Sequence, residues 1–160
     1  MSDSINAAPA ATYPQQGAAA PRTAAEVART TPGVAQGARW FWWIAGLTLV
    51  NAGCDAAHAN VNFVLGLAFT QLAHAFFESN LAIAYGIDAL FIGAFWLFGQ
   101  QAQGGRSWAF IVGAVLFLCD GLVYLKFQDW MPVAFHALAL FYIGRGYLAL
   151  KEGLKVARKA

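Results

Sequence analysis

Five apolar segments, separated by short polar stretches, follow one another in the chain. Long apolar blocks within them, such as LFIGAFWLFG and SWAFIVGAVLFLC, lack the polar face that a soluble amphipathic helix shows to water, and the lengths of the segments suit helices that enter or cross a bilayer. The pattern predicts helices over residues 39–57, 62–77, 81–101, 107–127 and 131–150. We therefore expect an all-helical integral membrane protein.

The second segment, residues 62–77, is too short to be an ordinary span. Its sixteen residues would extend about 24 Å as a helix, whereas the hydrocarbon core is about 30 Å thick. It also carries Gln71 and His74, with Glu78 directly after it, at spacings that share one helical face. These features favour a re-entrant or interfacial helix on the non-cytoplasmic side.

The distribution of lysine and arginine bears on the same question. If all five segments crossed, the N-terminal side would hold Arg22, Arg29, Arg39 and Lys126, and the opposite side Arg106, Lys151, Lys155, Arg158 and Lys159. If residues 62–77 do not cross, only Lys126 lies opposite the termini. The positive-inside rule favours the second arrangement. We expect a four-helix transmembrane bundle with a fifth short helix and both termini in the cytoplasm; a short true span remains the alternative.

The two ends of the chain have a different composition. Residues 1–38 are rich in Ala, Pro, Gly, Gln and Thr and have few bulky apolar residues, so they predict a disordered tail. Within this tail, RTAAEVAR (residues 22–29) has the composition of a short helix. Residues 151–160 predict a basic tail lying against anionic headgroups. The alanine-rich composition favours a bacterial inner (plasma) membrane protein.

Charge and cysteine usage exclude some function classes. The formal net charge of +2 is small and the basic residues form no stripe on a predicted helix, so nucleic-acid binding is not indicated. Cys54 and Cys119 lack the spacing of a metal or redox motif. The sequence predicts no cofactor and no metal site.

Several ionisable and amide residues recur at one depth in the predicted spans. Asn51, Asp88, Asp120 and His136 would each lie about 8–10 Å below the outer boundary, although successive helices run in opposite directions. Asp55 would lie closer to the surface, and the short helix would place His74 and Glu78 above this layer. The candidate polar cluster is therefore Asn51, Asp55, His74, Glu78, Asp88, Asp120 and His136.

Small residues recur along the third segment, where Ala82, Gly86, Ala89 and Gly93 repeat at spacings of four and three. Such a stripe allows two helix backbones to approach closely. We expect the bilayer, and a homo-oligomer or a larger membrane complex, as partners.

Three function hypotheses remain at this point. The first is a non-enzymatic accessory or structural membrane protein, in which the polar groups hold helices together. The second is an oligomeric proton, ion or small-solute transporter or sensor that uses the Asp/His cluster, because intramembrane Asp and His are functional candidates. The third is a haem, quinone or metal enzyme subunit, which is disfavoured because His136 has no evident partner on a second span.

Overall fold

The computed structural model describes residues 23–57 and 66–159, and every regular element within these ranges is a helix. This confirms the all-helical class. The helices, in chain order, are α1 (Ala24–Thr30), α2 (Pro32–Ala56), α3 (Ala68–Phe76), α4 (Leu81–Gln103), α5 (Ser107–Lys126) and α6 (Trp130–Ala157).

The N-terminal boundary of the helical domain differs from the prediction, because helix begins well before residue 39. Helix α1 starts with a capping box, in which Thr23 accepts from the backbone N–H of Glu26 and the Glu26 carboxylate accepts from that of Thr23. Helix α2 starts at Pro32, a residue that suits the first helical position. The tail predicted over residues 1–38 is therefore helical over most of its described part; residues 1–22 lie outside the described range.

The other boundaries lie close to the predicted ones, with two exceptions. Helix α6 continues to Ala157, through most of the predicted basic tail, because Leu150 and Ala157 are buried there and Gly153 lies against Val27 of α1. Helix α3 covers nine residues of the predicted segment 62–77, of which residues 62–65 lie outside the described ranges.

The four long helices form an antiparallel ring in the order α2, α4, α5, α6, with α6 returning to α2. Helix α2 follows α4 from the Asp55–Tyr85 contact to the contact of Trp42 with Gly99. Helices α5 and α6 are aligned by Asp120 with His136 at one end and by Phe110 with Gly146 towards the other. We call the end where α2 and α5 finish the polar end, and the end that carries α1 the basic end.

Phenylalanine side chains fill the centre of the ring. The buried set is Phe41, Phe95, Phe98, Phe110 and Phe117. Phe41 lies 6.0 to 6.3 Å, between ring centroids, from three others of the set, and Phe95 lies 5.9 Å from Phe117. The outer surface is also apolar, with Leu90, Val115, Leu122 and Leu148 more than half exposed. Apolar surface on both sides of the helices is expected when lipid is the solvent.

Three helices, α4, α5 and α6, are long and apolar enough to cross a membrane. Helix α2 is not among the candidates that the described residues provide, so the predicted count of four spans is not confirmed. The reason lies in its composition. Arg39, Asn51 and Asp55 are strongly polar, and its tryptophans add little hydropathy, although α2 has 25 residues and packs beside α4 and α6.

Glycines set the distance between α2 and α6. A Cβ on Gly37 would lie 2.6 Å from the Gly146 Cα, closer than nonbonded atoms can approach, so the two backbones are in direct contact. Gly46, Gly86 and Gly93 face outward, with no atom within 4 Å of an added Cβ. The small-residue stripe of α4 therefore lies on the outside of the ring.

Replacing Gly37 by valine should separate α2 from α6, because the new side chain has no space beside Gly146. Overpacking of this kind costs about 1–3 kcal/mol, and we expect a matching loss in unfolding free energy measured by titration with a denaturing detergent. Gly46→Val is the matched control, since it adds the same side chain to the same helix in open space. Equal stability of the two variants would contradict the close packing of α2 in the ring.

Candidate functional site

Helix α3 lies at the polar end of the ring, against α4 and α5. Its nine residues make it about 14 Å long, which is too short for a helix to be stable on its own. Its N-cap residue, Leu67, has no side-chain hydrogen bond to offer. The first N–H groups of α3 must therefore find acceptors elsewhere.

The carboxylate of Asp120, on α5, supplies these acceptors. Its two oxygens each accept a backbone N–H at 2.9 Å, one from Ala68 and the other from Phe69. The Asp120 side chain is only 1% exposed. A negative charge also interacts favourably with the N-terminal end of a helix, so Asp120 caps α3 from a different helix.

The imidazole of His136, on α6, contacts the same carboxylate. Its Nε2 lies 2.9 Å from Asp120 Oδ2, and its Nδ1 lies 2.8 Å from the carbonyl oxygen of Pro132. A carbonyl oxygen can only accept, so Nδ1 carries a proton. The ring is 3% exposed and stacks on Phe117 at a centroid distance of 4.1 Å. His136 thus connects α6 to the group that holds α3.

The residues just before α3 are held by two further contacts. The hydroxyl of Tyr124 donates to the carbonyl oxygen of Gly66 at 3.0 Å. The side chain of Asn51, on α2, lies so close to Gly66 that a Cβ there would collide with its amide. The N-terminal side of α3 is therefore fixed to α2 and α5.

A second cluster surrounds His74, which points from α3 into the ring. His74 Nε2 lies 2.8 Å from Asp88 Oδ2 on α4, and Nδ1 lies 3.2 Å from Asp55 Oδ2 on α2. The hydroxyl of Tyr85 also donates to Asp55 Oδ2, at 3.2 Å. One imidazole thus bridges two carboxyl groups that belong to different helices.

Exposure decreases steeply across this bridge. The side chains of Asp55, His74 and Asp88 are 58%, 18% and 4% exposed, respectively. The Oδ1 atom of Asp88 is buried and has no hydrogen-bond partner within the described chain. The three groups therefore lead from the surface of the polar end to a buried carboxyl oxygen.

The structure thus brings most of the candidate polar residues to the two ends of α3. Asp120, His136 and Asn51 lie near its N-terminus, and Asp55, His74 and Asp88 meet in its second half. Ala68 and His74 are six positions apart in the sequence, so the two clusters are about 9 Å apart along the helix.

Glu78 does not join either cluster, contrary to the expectation that it would cover the polar layer. It is exposed in the turn after α3 and forms no hydrogen bond or ion pair with any residue that the structure describes. Gln71, which was expected to share a polar face with His74, is also exposed. The turn after Phe76 carries Glu78 away from the helical face that it was expected to occupy.

Some participants had no signal in the sequence. The backbone N–H groups of Ala68 and Phe69 are invisible to an inspection of side chains, as is the carbonyl of Gly66. The Tyr85 hydroxyl, which donates to Asp55, lies outside the candidate polar cluster. Within residues 23–57 and 66–159, no three His, Cys, Asp or Glu side chains are arranged to hold a metal ion.

Asp120→Asn should weaken the attachment of α3, because an amide offers one acceptor oxygen where the carboxylate offers two. Leaving a buried polar group without its hydrogen-bond partner costs about 1–3 kcal/mol, and we expect a loss of this order in detergent unfolding. Asp129→Asn is the control, since Asp129 is exposed and makes no side-chain cap bond. Wild-type stability of Asp120→Asn would show that the cap contributes nothing.

Comparisons with protein-family models, with curated proteins and with solved structures found no match to this chain. Function is therefore inferred from the geometry of its own residues. The feature that any function must accommodate is a short helix whose N-terminus is capped by Asp120, which also contacts His136, and whose own His74 contacts two further carboxyl groups.

Proposed function

We propose that this chain is a non-enzymatic membrane protein that senses protons at one face of the bilayer, with α3 as the element that responds. The observation that carries the proposal is that both histidines in the described ranges act on this helix. His74 lies on α3 and contacts Asp55 and Asp88, while His136 contacts the carboxyl group that caps α3. Histidine is the side chain that ordinarily titrates near physiological pH.

The proposal takes α2 as a fourth span. Its contacts with α4 extend over much of its length, and a polar helix face is tolerated in a membrane when it is turned towards other helices. The positive charges support one orientation. Of the lysine and arginine residues in the described ranges, Lys126 lies at the polar end. The others lie in the basic half of the ring: Arg29, Arg39, Arg106, Arg145, Lys151, Lys155, Arg158 and Lys159. This asymmetry favours a cytoplasmic basic end and both termini in the cytoplasm.

The phenylalanine core favours sensing over transport through a single chain. Phe95 and Phe117 are at most 1% exposed and lie between the polar end and the basic half of the ring. Phe117 also stacks directly on His136. A proton that reaches the clusters from the polar end therefore meets closely packed aromatic side chains beyond them.

The direction of the response follows from the hydrogen bonds. Each carboxyl–imidazole contact needs a proton between the two groups, because a bare ring nitrogen facing a carboxylate oxygen is repulsive. We call the observed position of α3, against α4 and α5, the seated position. With α3 seated, the carboxyl–imidazole contacts therefore retain protons that would be released if α3 detached. Raising the pH removes these protons, so it should favour detachment.

Distance measurements between two spin labels test this response. Gln71 and Lys126 are exposed, on α3 and at the end of α5, and would carry the labels as cysteine variants in a Cys54→Ser, Cys119→Ser background. We expect a longer distance to gain population as the pH rises from about 5 to about 8, the range in which histidine side chains ordinarily change their charge.

Two variants serve as controls for the spin-label measurement. His74→Gln removes a titratable contact with α3 and should reduce the pH dependence, whereas Glu78→Gln alters an exposed residue outside both clusters and should retain it. A wild-type distance that stays constant over this range would overturn the proposal and leave the polar contacts with a structural role.

The orientation can be tested separately with a membrane-impermeant maleimide. Single cysteines replacing Arg29, Glu78 and Glu152 would be labelled in vesicles of known sidedness. We expect Arg29→Cys and Glu152→Cys to react from one side and Glu78→Cys from the other. Reaction of Arg29→Cys and Glu78→Cys from the same side would contradict this topology, in which α2 alone crosses between them.

A further inference from the structure

The two buried aspartates receive very different hydrogen bonds. Asp120 accepts a backbone N–H on each oxygen, at 2.9 Å, and also contacts His136. Asp88 contacts His74 through Oδ2, while its Oδ1 has no partner in the described part of the chain. Since both side chains are at least nine-tenths buried, neither can rely on bulk water to replace a missing donor.

We infer that the two pairs hold their proton on opposite partners. Asp120 is a carboxylate beside a positively charged His136, whereas Asp88 is a neutral carboxylic acid that donates to a neutral His74. This placement makes Asp88 an internal proton-binding site. The inference deepens the proposed function and depends on it for its biological meaning.

The first half of the inference follows from the donors around Asp120. Two backbone N–H groups stabilise negative charge on this carboxylate, because hydrogen bonds to the charged form favour it. The N-terminal end of α3 acts in the same direction. His136 Nδ1 already donates to the Pro132 carbonyl, so a proton on Nε2 as well makes the ring an imidazolium. The pair is then a buried charge pair with no net charge.

The second half follows from the missing donor at Asp88. A carboxylate spreads its charge over both oxygens, and an ionised oxygen buried without a donor is costly. In the acid form the proton lies on Oδ2 and points to His74 Nε2, which leaves Oδ1 as a neutral carbonyl oxygen. His74 then carries its own proton on Nδ1, towards Asp55. The negative charge of the cluster thus remains on Asp55, which is 58% exposed and accepts the Tyr85 hydroxyl.

The surroundings of Asp88 agree with this placement. The titratable groups that interact with it or with its imidazole partner are Asp55 from α2, His74 from α3 and Tyr85 from its own helix. On α5, the oxygens of Asp120 are occupied by other partners. No lysine or arginine within the described ranges forms an ion pair with Asp88. Only a protonated His74 could therefore balance a second ionised carboxyl group beside Asp55, and that arrangement would still leave the buried Oδ1 of an ionised Asp88 without a donor.

The same contacts give the proton a route from water. When Asp55 is protonated and His74 carries its proton on Nε2, the Asp55 proton can pass to Nδ1 while the Nε2 proton passes to Asp88 Oδ2. One O–H and one N–H bond break, and one N–H and one O–H bond form, so the total number of protons and the net charge stay the same. The reverse shift returns the proton to Asp55.

A proton on Asp88 also sets the size of the pH response. A detached α3 would leave Asp88 without its imidazole partner and in contact with water, where an aspartate is ionised at neutral pH. The seated state then holds about one proton more than the detached state. The ratio of detached to seated protein should therefore rise about tenfold per pH unit.

Infrared spectroscopy of the protein in liposomes tests the placement directly. At neutral pH we expect a carboxylic-acid C=O stretch at the high-frequency side of its range, as for a carbonyl that accepts no hydrogen bond. It should shift when aspartate, but not glutamate, carries ¹³C in its side-chain carboxyl group. Asp88→Asn should abolish the band and Glu78→Gln should retain it.

A second variant covers the case in which Asp88→Asn does not fold. In Asp88→Glu the acid group is retained, and the band should then respond to ¹³C-labelled glutamate. The absence of an acid band from the wild-type protein at neutral pH, or its persistence in Asp88→Asn, would overturn the inference. An acid band on Asp88 together with an α3 position that ignores pH would uphold the proton placement and refute the sensing function.

Discussion

The buried carboxylate of Asp120 at the start of α3 is the interaction on which the polar end depends. A nine-residue helix without a side-chain cap cannot leave its first N–H groups unpaired in a membrane, because no water is present to accept them. Asp120 satisfies two of these groups from α5, and His136 contacts the same carboxyl group from α6. The cap therefore joins α3 to two other helices, and under the proposed function it makes the position of α3 depend on the proton between Asp120 and His136.

The rest of the fold keeps these contacts at one end. Direct contact between Gly37 and Gly146 aligns α2 with α6. The end of α2, which carries Asp55, lies beside the start of α4, where Asp55 contacts Tyr85. The phenylalanine core then separates the polar end from the basic end. His74 reaches two carboxyl groups only because α2 and α4 run antiparallel in this register. A structural role and a sensing role use the same contacts, and they differ only in whether the protons leave within the physiological range.

The length and composition of the apolar segments were sufficient to predict the helical class and the approximate positions of the long helices. Depth along each helix also predicted that Asp88, Asp120 and His136 would lie at one end, because rise per residue converts sequence position into height. Which groups would touch could not be predicted, because rotation about each helix axis depends on packing. The partners of Asp120 are backbone N–H groups, which no side-chain pattern reveals. Glu78 was misplaced because α3 ends at Phe76, and the chain then turns.

Nitrogen NMR of the protein in liposomes, with ¹⁵N-labelled histidine side chains, is the most direct test of the central claim that protons on imidazole hold α3 in place. The resonances would be assigned with His74→Gln and His136→Gln. With α3 seated at neutral pH, both ring nitrogens of His136 should carry protons, whereas His74 should have one bare nitrogen, at Nε2. A bare ring nitrogen on His136 would contradict the account, because the Asp120 cap would then lack its balancing charge.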